Sequence, residues 1–123
     1  MKKEDISILL AEDNTTTQTL LKEFMETILG YSKVVCVNDG FEALEQLAEN
    51  SFDIIITDHD MPRMNGQELI KELQLTHPQI PIILMTVYDK DNPEIKDLQG
   101  VEYFQKPITN FDLIEEKIQQ LCP

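Results

Sequence analysis

The chain has no apolar stretch near the roughly 20 residues that a membrane-spanning helix needs, which argues against a membrane protein. It is also poor in positive charge. Ten Lys and Arg stand against 23 Asp and Glu, a formal net charge of −13. With no basic stripe to neutralise phosphates, direct binding to DNA or RNA is not its function; the acidity suits a chain that binds cations or basic partners. Cysteine is scarce: Cys36 lies in a strand-like run and Cys122 near the end, with no metal-ligand spacing. That usage fits reduced thiols in a reducing compartment. The opening Met1-Lys2-Lys3-Glu4-Asp5 carries no signal-peptide pattern, so a cytoplasmic location is the expectation. There is no low-complexity tract and no repeat. What remains is 123 residues, 41% of them hydrophobic, enough for one core and one domain over residues 1–123.

Strand-like and helix-like segments alternate throughout. Ile6 to Ala11 is an apolar run of strand length. Asn14 and Thr15 to Thr17 offer helix caps, and Leu21, Phe24 and Ile28 repeat at helical spacing until Gly30. Lys33 to Val37 is rich in valine and reads as a strand. After the turn Asn38-Asp39-Gly40, the residues Phe41, Leu44, Leu47 and Ala48 mark one face of a second helix. Asp53 to Thr57 is the third strand. Met61 to Gly66 is a loop, with Leu69, Ile70 and Leu73 marking a third helix beyond it. Ile80 to Thr86 is the fourth strand. Asp89 to Gly100 has only Ile95 and Leu98 at helical spacing, which predicts a short, weakly held fourth helix. Val101 to Phe104 is a short fifth strand, and Thr109 is placed to cap a last helix carrying Ile114, Ile118 and Leu121.

Five alternating β and α units imply an α/β fold with a parallel sheet covered on both faces. The first, third and fourth runs are the most continuously apolar, as strands buried on both faces must be. The flavodoxin-like, doubly wound order 2-1-3-4-5 places them centrally. It sets the topological switch between strands one and three, where ligands bind outside the carboxyl ends.

Glu12 and Asp13 follow strand one, and Asp58 ends strand three, so both groups flank that switch. Taken singly, each is ordinary, since Asp often caps helices and ends strands. Converging on one crevice, three carboxylates repel one another and raise their own pKa values. A divalent cation relieves this, and hard oxygen ligands with room for water suit Mg²⁺. A carboxylate is also a nucleophile able to form an aspartyl-phosphate. Phosphoryl transfer chiefly needs positioning and neutralisation of charge on the three equatorial oxygens. Thr86 and Lys106, just past strands four and five, offer a hydroxyl and an ammonium for that purpose, beside backbone N–H groups. His59 can line the crevice but has no partner at metal-ligand spacing, and His77 sits at a helix end where partial positive charge is welcome.

The acidic pair Glu12-Asp13, the segment Asp58…Met61-Pro62-Arg63-Met64-Asn65-Gly66, Thr86, and Tyr103…Lys106-Pro107 occur in order on these elements. From about Ile6 to Leu121 the chain resembles a two-component response-regulator receiver domain of the chemotaxis-regulator-like superfamily. The resemblance implies that Asp58 accepts a phosphoryl group from a sensor histidine kinase or phosphotransfer protein. It implies Mg²⁺ (or Mn²⁺) held by Asp13 and Asp58, by Glu12 through water, and by the Asp60 backbone carbonyl. Lys106, Thr86 and the backbone N–H groups of His59 and Val87 would bind the phosphoryl oxygens. The Lys106–Pro107 bond is expected to be cis. Thr86 and Tyr103 would act as the switch, changing the face of the fourth helix, fifth strand and fifth helix for an unidentified output partner or a phosphorylation-dependent homodimer. Such a domain assists its own phosphorylation and dephosphorylation and is otherwise no enzyme.

The chain departs from the family pattern in three places. Asp60 adds a carboxylate two positions after the acceptor. Val87 stands where a small residue is common, and should crowd a water attacking the phosphoryl group. The Thr86-to-Lys106 connection is a residue or two short, which bears on the fourth helix. Two alternatives accompany the signalling reading. Asp58-His59-Asp60 after an apolar strand resembles the Asp-x-Asp motif of haloacid-dehalogenase-type phosphohydrolases, although there it follows the first strand. The other is a docking module that works without phosphorylation.

Overall fold

The computed structural model describes residues 1–123. Five parallel strands form one sheet in the order β2-β1-β3-β4-β5. They are β1 (Ser7–Ala11), β2 (Lys33–Val37), β3 (Ile54–Asp58), β4 (Ile82–Thr86) and β5 (Glu102–Gln105). Four α-helices accompany them: α1 (Thr15–Glu23), α2 (Gly40–Glu49), α3 (Gly66–Thr76) and α4 (Phe111–Leu121). The sheet order and the doubly wound class match the expectation from the sequence.

Alternation along the strands divides the core in two. Ile8, Leu10, Ile54, Ile56, Ile83 and Met85 face α1 and α4, where Leu21, Met25, Ile114 and Ile118 meet them. Leu9, Ala11, Ile55, Ile82 and Leu84 face α2 and α3, against Ala43, Leu47, Leu69, Ile70 and Leu73. Every residue of β3 and β4 is buried, whereas no residue of β5 is. The sequence distinction between continuously apolar central strands and a mixed edge strand is thus a distinction in burial.

Helix boundaries follow local chemistry. Asn14 caps α1 by accepting from Thr17 N at 2.9 Å, and Asp39 caps α2 by accepting from Glu42 N at 2.9 Å. Asn65 and Glu68 form a reciprocal capping box at the start of α3. Asn110 caps α4 through Asp112 N, in place of the expected Thr109.

The structure corrects the expected fourth helix. Residues 89–100 form turns and contain no α-helix. Asp89 and Asn92 turn their side chains onto the backbone, accepting from Asp91 N and Glu94 N at 2.8 and 2.9 Å. Those local bonds compete with a helix, and Pro93 withholds a donor. Only Ile95 is buried, so little apolar surface drives the segment to wind. The face attributed to a fourth helix, β5 and the last helix therefore consists here of an irregular strap, β5 and α4. Two helix faces are also corrected. Beyond Glu23 the chain makes a wide π turn over Phe24–Ile28, with Leu29 N bonded to Phe24 O at 3.0 Å. The buried stripe is Leu21, Met25 and Leu29, and Ile28 points outward at 67% exposure. On α2 the inward residues are Ala43, Leu44 and Leu47, whereas Phe41 and Ala48 are exposed.

One backbone approach fixes the site's floor. Gly66, the first residue of α3, donates its N–H to His59 O at 2.8 Å. A Cβ there would lie 2.4 Å from the Asp58 carbonyl oxygen and 2.9 Å from His59 Cα, both backbone atoms with nowhere to go. Gly66→Ala is expected to reduce unfolding free energy in urea by about 3 kcal/mol through overpacking. Gly100→Ala, strained by φ 74 but with only the Gln74 side chain nearby at 3.7 Å, is expected to cost about 1 kcal/mol. Equal losses in the two variants would contradict the close-approach account.

Candidate functional site

Parallel register delivers the site. Ala11 pairs with Thr57, and Asp58 with Met85, so the ends of β1, β3 and β4 lie side by side. Glu12 and Asp13 leave β1 there. The Lys106 backbone N–H donates to Thr86 O at 2.7 Å, bringing the residue after β5 to the same edge. The Lys106–Pro107 bond is cis, as expected.

Ligand oxygens of Glu12, Asp13 and Asp58 lie within 4.8 Å of one another. Glu12 and Asp58 are buried, at 1% and 6% exposure, and Asp13 is exposed. The Lys106 ammonium sits between the two buried groups, 2.8 Å from Glu12 Oε1 and 3.1 Å from Asp58 Oδ1. Glu12 Oε2 accepts from Asn14 N at 3.1 Å, so both its oxygens are engaged. Asp58 Oδ1 also accepts from His59 N at 2.8 Å. Asp58 Oδ2 and the Asp13 carboxylate receive no hydrogen bond from the protein. The donor set is therefore two carboxylates with free oxygens, a third reachable through water, and an opening to solvent. That is the chemistry of a hard divalent cation that keeps part of its water.

The electrostatics agree. Burial first, and then the Glu12 charge, push the Asp58 carboxyl up to about 6, against the opposing pull of Lys106. Asp13 is also raised, by desolvation in the crevice and by the neighbouring Glu12 carboxylate. For Lys106, burial acts to lower the pKa, but the hydrogen bond to Glu12 and the Asp58 charge prevail and raise it.

The remaining sequence-predicted residues stand at varying distance from this centre. Thr86 is buried at the end of β4, and its hydroxyl accepts from Tyr88 N at 3.2 Å, leaving its own proton free to donate. Val87, next to it, is exposed. Tyr103 is half-buried on β5, and its hydroxyl donates to the Tyr88 carbonyl. Asp60 is exposed. Tyr103 and Thr86 are thus joined through Tyr88 and make no direct contact with Asp58.

Two contacts were not legible in the sequence. His59 is 1% exposed, and its Nε2 meets Glu94 Oε2 at 2.8 Å across 35 positions of chain. Arg63, in the left-handed region at φ 63, donates from Nε to Asp39 Oδ2 at 2.7 Å, and this bond ties the loop after β3 to the α2 cap. Desolvation alone would raise Asp39, but the Arg63 bond outweighs it and holds the carboxyl below its usual range. Neither pairing leaves a spacing signal, because each joins loops distant in sequence.

The raised Asp58 carboxyl makes a signed prediction. The folded state holds the proton more tightly than the unfolded state, whose value is 3.8. Asp58 therefore costs nothing at low pH, and its penalty grows as pH rises through about 6. Without metal, Asp58→Asn is expected to stabilise the protein at pH 7.5 by on the order of 2 kcal/mol and to make almost no difference near pH 3, below the unfolded value of 3.8. Mg²⁺ should raise the melting temperature of the parent chain at pH 7.5 and leave the variant nearly unmoved. Urea and thermal melts at the two pH values check this; a variant destabilised at pH 7.5 would contradict it.

The family model of the response regulator receiver domain matches residues 8–119. Transcriptional regulatory protein ZraR of Klebsiella oxytoca is 32% identical over 117 residues, covering 94% of this chain and 26% of ZraR. Sensor protein EvgS of Escherichia coli is 35% identical over 120 residues, covering 96% of this chain and 10% of EvgS. The chain thus spans a minor part of the length of these curated relatives. Among solved structures, response regulator TrrA of Thermotoga maritima, in complex with Mg²⁺ and BeF, aligns at TM-score 0.82 and 29% identity over 94% of this chain and 98% of that one. A receiver domain of a histidine kinase from Syntrophus aciditrophicus aligns at TM-score 0.84 and 28% identity, over 94% of this chain and 89% of that one. No helix of the chain is long and apolar enough to cross a membrane. With all of the sheet but Ser7, and the whole carboxylate crevice, inside the matched span, this chain belongs to the response regulator receiver domain family.

Proposed function

We propose that Asp58 is a phosphoacceptor and that the domain is a two-component signalling switch. The observation that carries this is the asymmetry of the Asp58 carboxylate: Oδ1 is held by Lys106 and His59 N, while Oδ2 has no protein hydrogen-bond partner. The free oxygen attacks phosphorus on a phosphohistidine. An O–P bond forms, the N–P bond breaks, and its electron pair returns to the donor's imidazole. Lys106 neutralises one equatorial oxygen, and the Thr86 hydroxyl donates its unused proton to another. The N–H groups of His59 and Val87 lie along the same edge. Asp13 and Asp58, with Glu12 acting through water and the Asp60 carbonyl, would hold Mg²⁺. That ion supplies charge neutralisation for the transferring group.

The partners follow from this chemistry: a sensor histidine kinase or phosphotransfer protein as donor, and an output protein or domain that reads the strap, β5 and α4. The chain's part in phosphorylation is to assist its own modification, not to turn over a substrate. The Asp-x-Asp resemblance to phosphohydrolases gains nothing from the structure, since Asp60 is exposed.

A groove of about 460 Å³ opens beside Lys106, lined by Leu20, Val87, Pro107, Ile108 and Phe111. Leu20 is 62% exposed and Val87 57%. An apolar surface next to the acceptor suits a donor helix that must bring its phosphohistidine to Asp58.

Two outcomes test the proposal. Incubated with Mg²⁺ and acetyl phosphate, the intact protein is expected to gain one phosphoryl mass, and Asp58→Ala to gain none. No gain in the parent, or a gain that survives the substitution, would refute phosphoacceptance at Asp58. Leu20→Asp is expected to slow phosphotransfer from a phosphorylated histidine phosphotransfer domain about tenfold, as a charge placed in an apolar contact should. The same variant should react with acetyl phosphate at the parent rate; equal slowing with both donors would contradict a docking role for the groove.

A further inference from the structure

The strap between β4 and β5 reaches the acceptor loop through Glu94. Its Oε2 lies 2.8 Å from Nε2 of His59, the residue directly after Asp58. With a carboxylate as acceptor, Nε2 is the donor. The other ring nitrogen, Nδ1, is buried with no hydrogen-bond partner. The imidazole also packs edge-on against the Tyr88 ring, with centroids 5.4 Å apart at 70°. Tyr88 in turn donates its N–H to the Thr86 hydroxyl at 3.2 Å, and its carbonyl accepts from Tyr103. His59 itself donates its backbone N–H to Asp58 Oδ1 at 2.8 Å. The His59 ring is therefore touched by Glu94 and Tyr88, while its backbone holds the acceptor carboxylate.

We propose that the His59–Glu94 contact is a latch through which phosphorylation of Asp58 and the arrangement of residues 89–100 control one another. The inference rests on the reading of Asp58 as phosphoacceptor. Its physical basis is that the latched state is only narrowly favoured. The bond to Glu94 is offset by the unpaired Nδ1, and the Glu94 side chain is 55% exposed, where water competes for it. The strap has a single buried side chain, Ile95, and no helix to hold its shape. A phosphoryl group on Asp58 reaches the ring through its surroundings. It competes with Asp58 Oδ1 and Met85 O for the His59 N–H, and it draws on the Thr86 hydroxyl that now accepts from Tyr88. Movement of Tyr88 removes the packing that keeps the imidazole aimed at Glu94. Because the coupling is a property of the equilibrium, it is reciprocal. Whatever phosphorylation does to the latch, opening the latch does to phosphorylation.

Glu94 lies outside the proposed phosphoryl and metal sites, so its substitution tests the latch without touching the chemistry. Glu94→Ala is expected to raise amide hydrogen exchange across residues 89–100 in the unphosphorylated protein to the level of the phosphorylated parent chain. It is also expected to speed phosphorylation by acetyl phosphate about fivefold, the lower range of measured couplings between sites. Glu94→Gln, whose carbonyl oxygen still accepts from Nε2, should restore both readouts to near the parent values. A merely structural tether would loosen the strap in Glu94→Ala and leave the phosphorylation rate unchanged, and that result overturns the latch. So does a parent chain whose strap exchanges equally fast before and after phosphorylation. A parent chain that gains no phosphoryl mass overturns the acceptor reading together with the latch, whereas normal phosphorylation with an inert Glu94→Ala overturns the latch alone.

Discussion

The Lys106 ammonium between Glu12 and Asp58 is the interaction on which the site depends. Two buried carboxylates side by side cannot both be ionised cheaply. One cation within 2.8 and 3.1 Å of them makes the arrangement tolerable without satisfying it, since Asp58 still titrates near 6. The residual strain is electrostatic and has a sign. It is relieved by anything that adds positive charge near Asp13 and Asp58 or that turns the Asp58 oxygen into an ester. On the proposed reading, binding of a divalent cation and reaction at the free oxygen would share this physical reason.

The sheet makes that arrangement possible at low cost. β1 and β3 are neighbours although β2 separates them in sequence, so two acidic turns meet at the topological switch. Lys106 arrives from the edge strand, tied by its backbone N–H to Thr86 O. Below, Gly66 lets α3 start in contact with the backbone of Asp58 and His59, and the Arg63–Asp39 bond pins the same loop to α2. The acceptor's floor is thus fixed by main-chain contacts, which a reaction at the side chain does not disturb.

Most of this frame was legible in the residues. Ile54-Ile55-Ile56 and Ile82-Ile83-Leu84 can only be strands buried on both faces. Once their order is set, Glu12, Asp13, Asp58, Thr86 and Lys106 fall on one edge. What was not legible has physical causes. The π turn after Glu23 brings Met25 and Leu29 inward beside a half-buried Phe24 and turns Ile28 out, because one extra residue in a turn changes which side faces inward. The fourth helix fails because Asp89, Asn92 and Pro93 favour turns and only Ile95 repays burial. The link from His59 to Glu94 joins two irregular segments, for which no period exists to read. The comparison with known receivers confirms the family and says nothing of this link.

Rigidity is distributed unevenly across the sheet, and this decides where a signal can travel. β1, β3 and β4 are buried along nearly their whole length and interlock with helices on both faces. Such packing has low compressibility and passes strain on rather than absorbing it. On the other side of Thr86, β5 has no fully buried residue, and the strap has one. The cheapest deformation therefore lies between Val87 and Gln105, where few apolar contacts must be broken. Phosphorylation at Asp58, as proposed, would add charge at the stiff side of Thr86, and the cheapest response to it lies on the soft side. That side is a strap held by Ile95, Glu94, Tyr88 and a few local turns, so the change available to it is loosening rather than rigid displacement. A partner that distinguishes the two states would then read the order of residues 89–100 and the exposure of Tyr103, not the position of a helix.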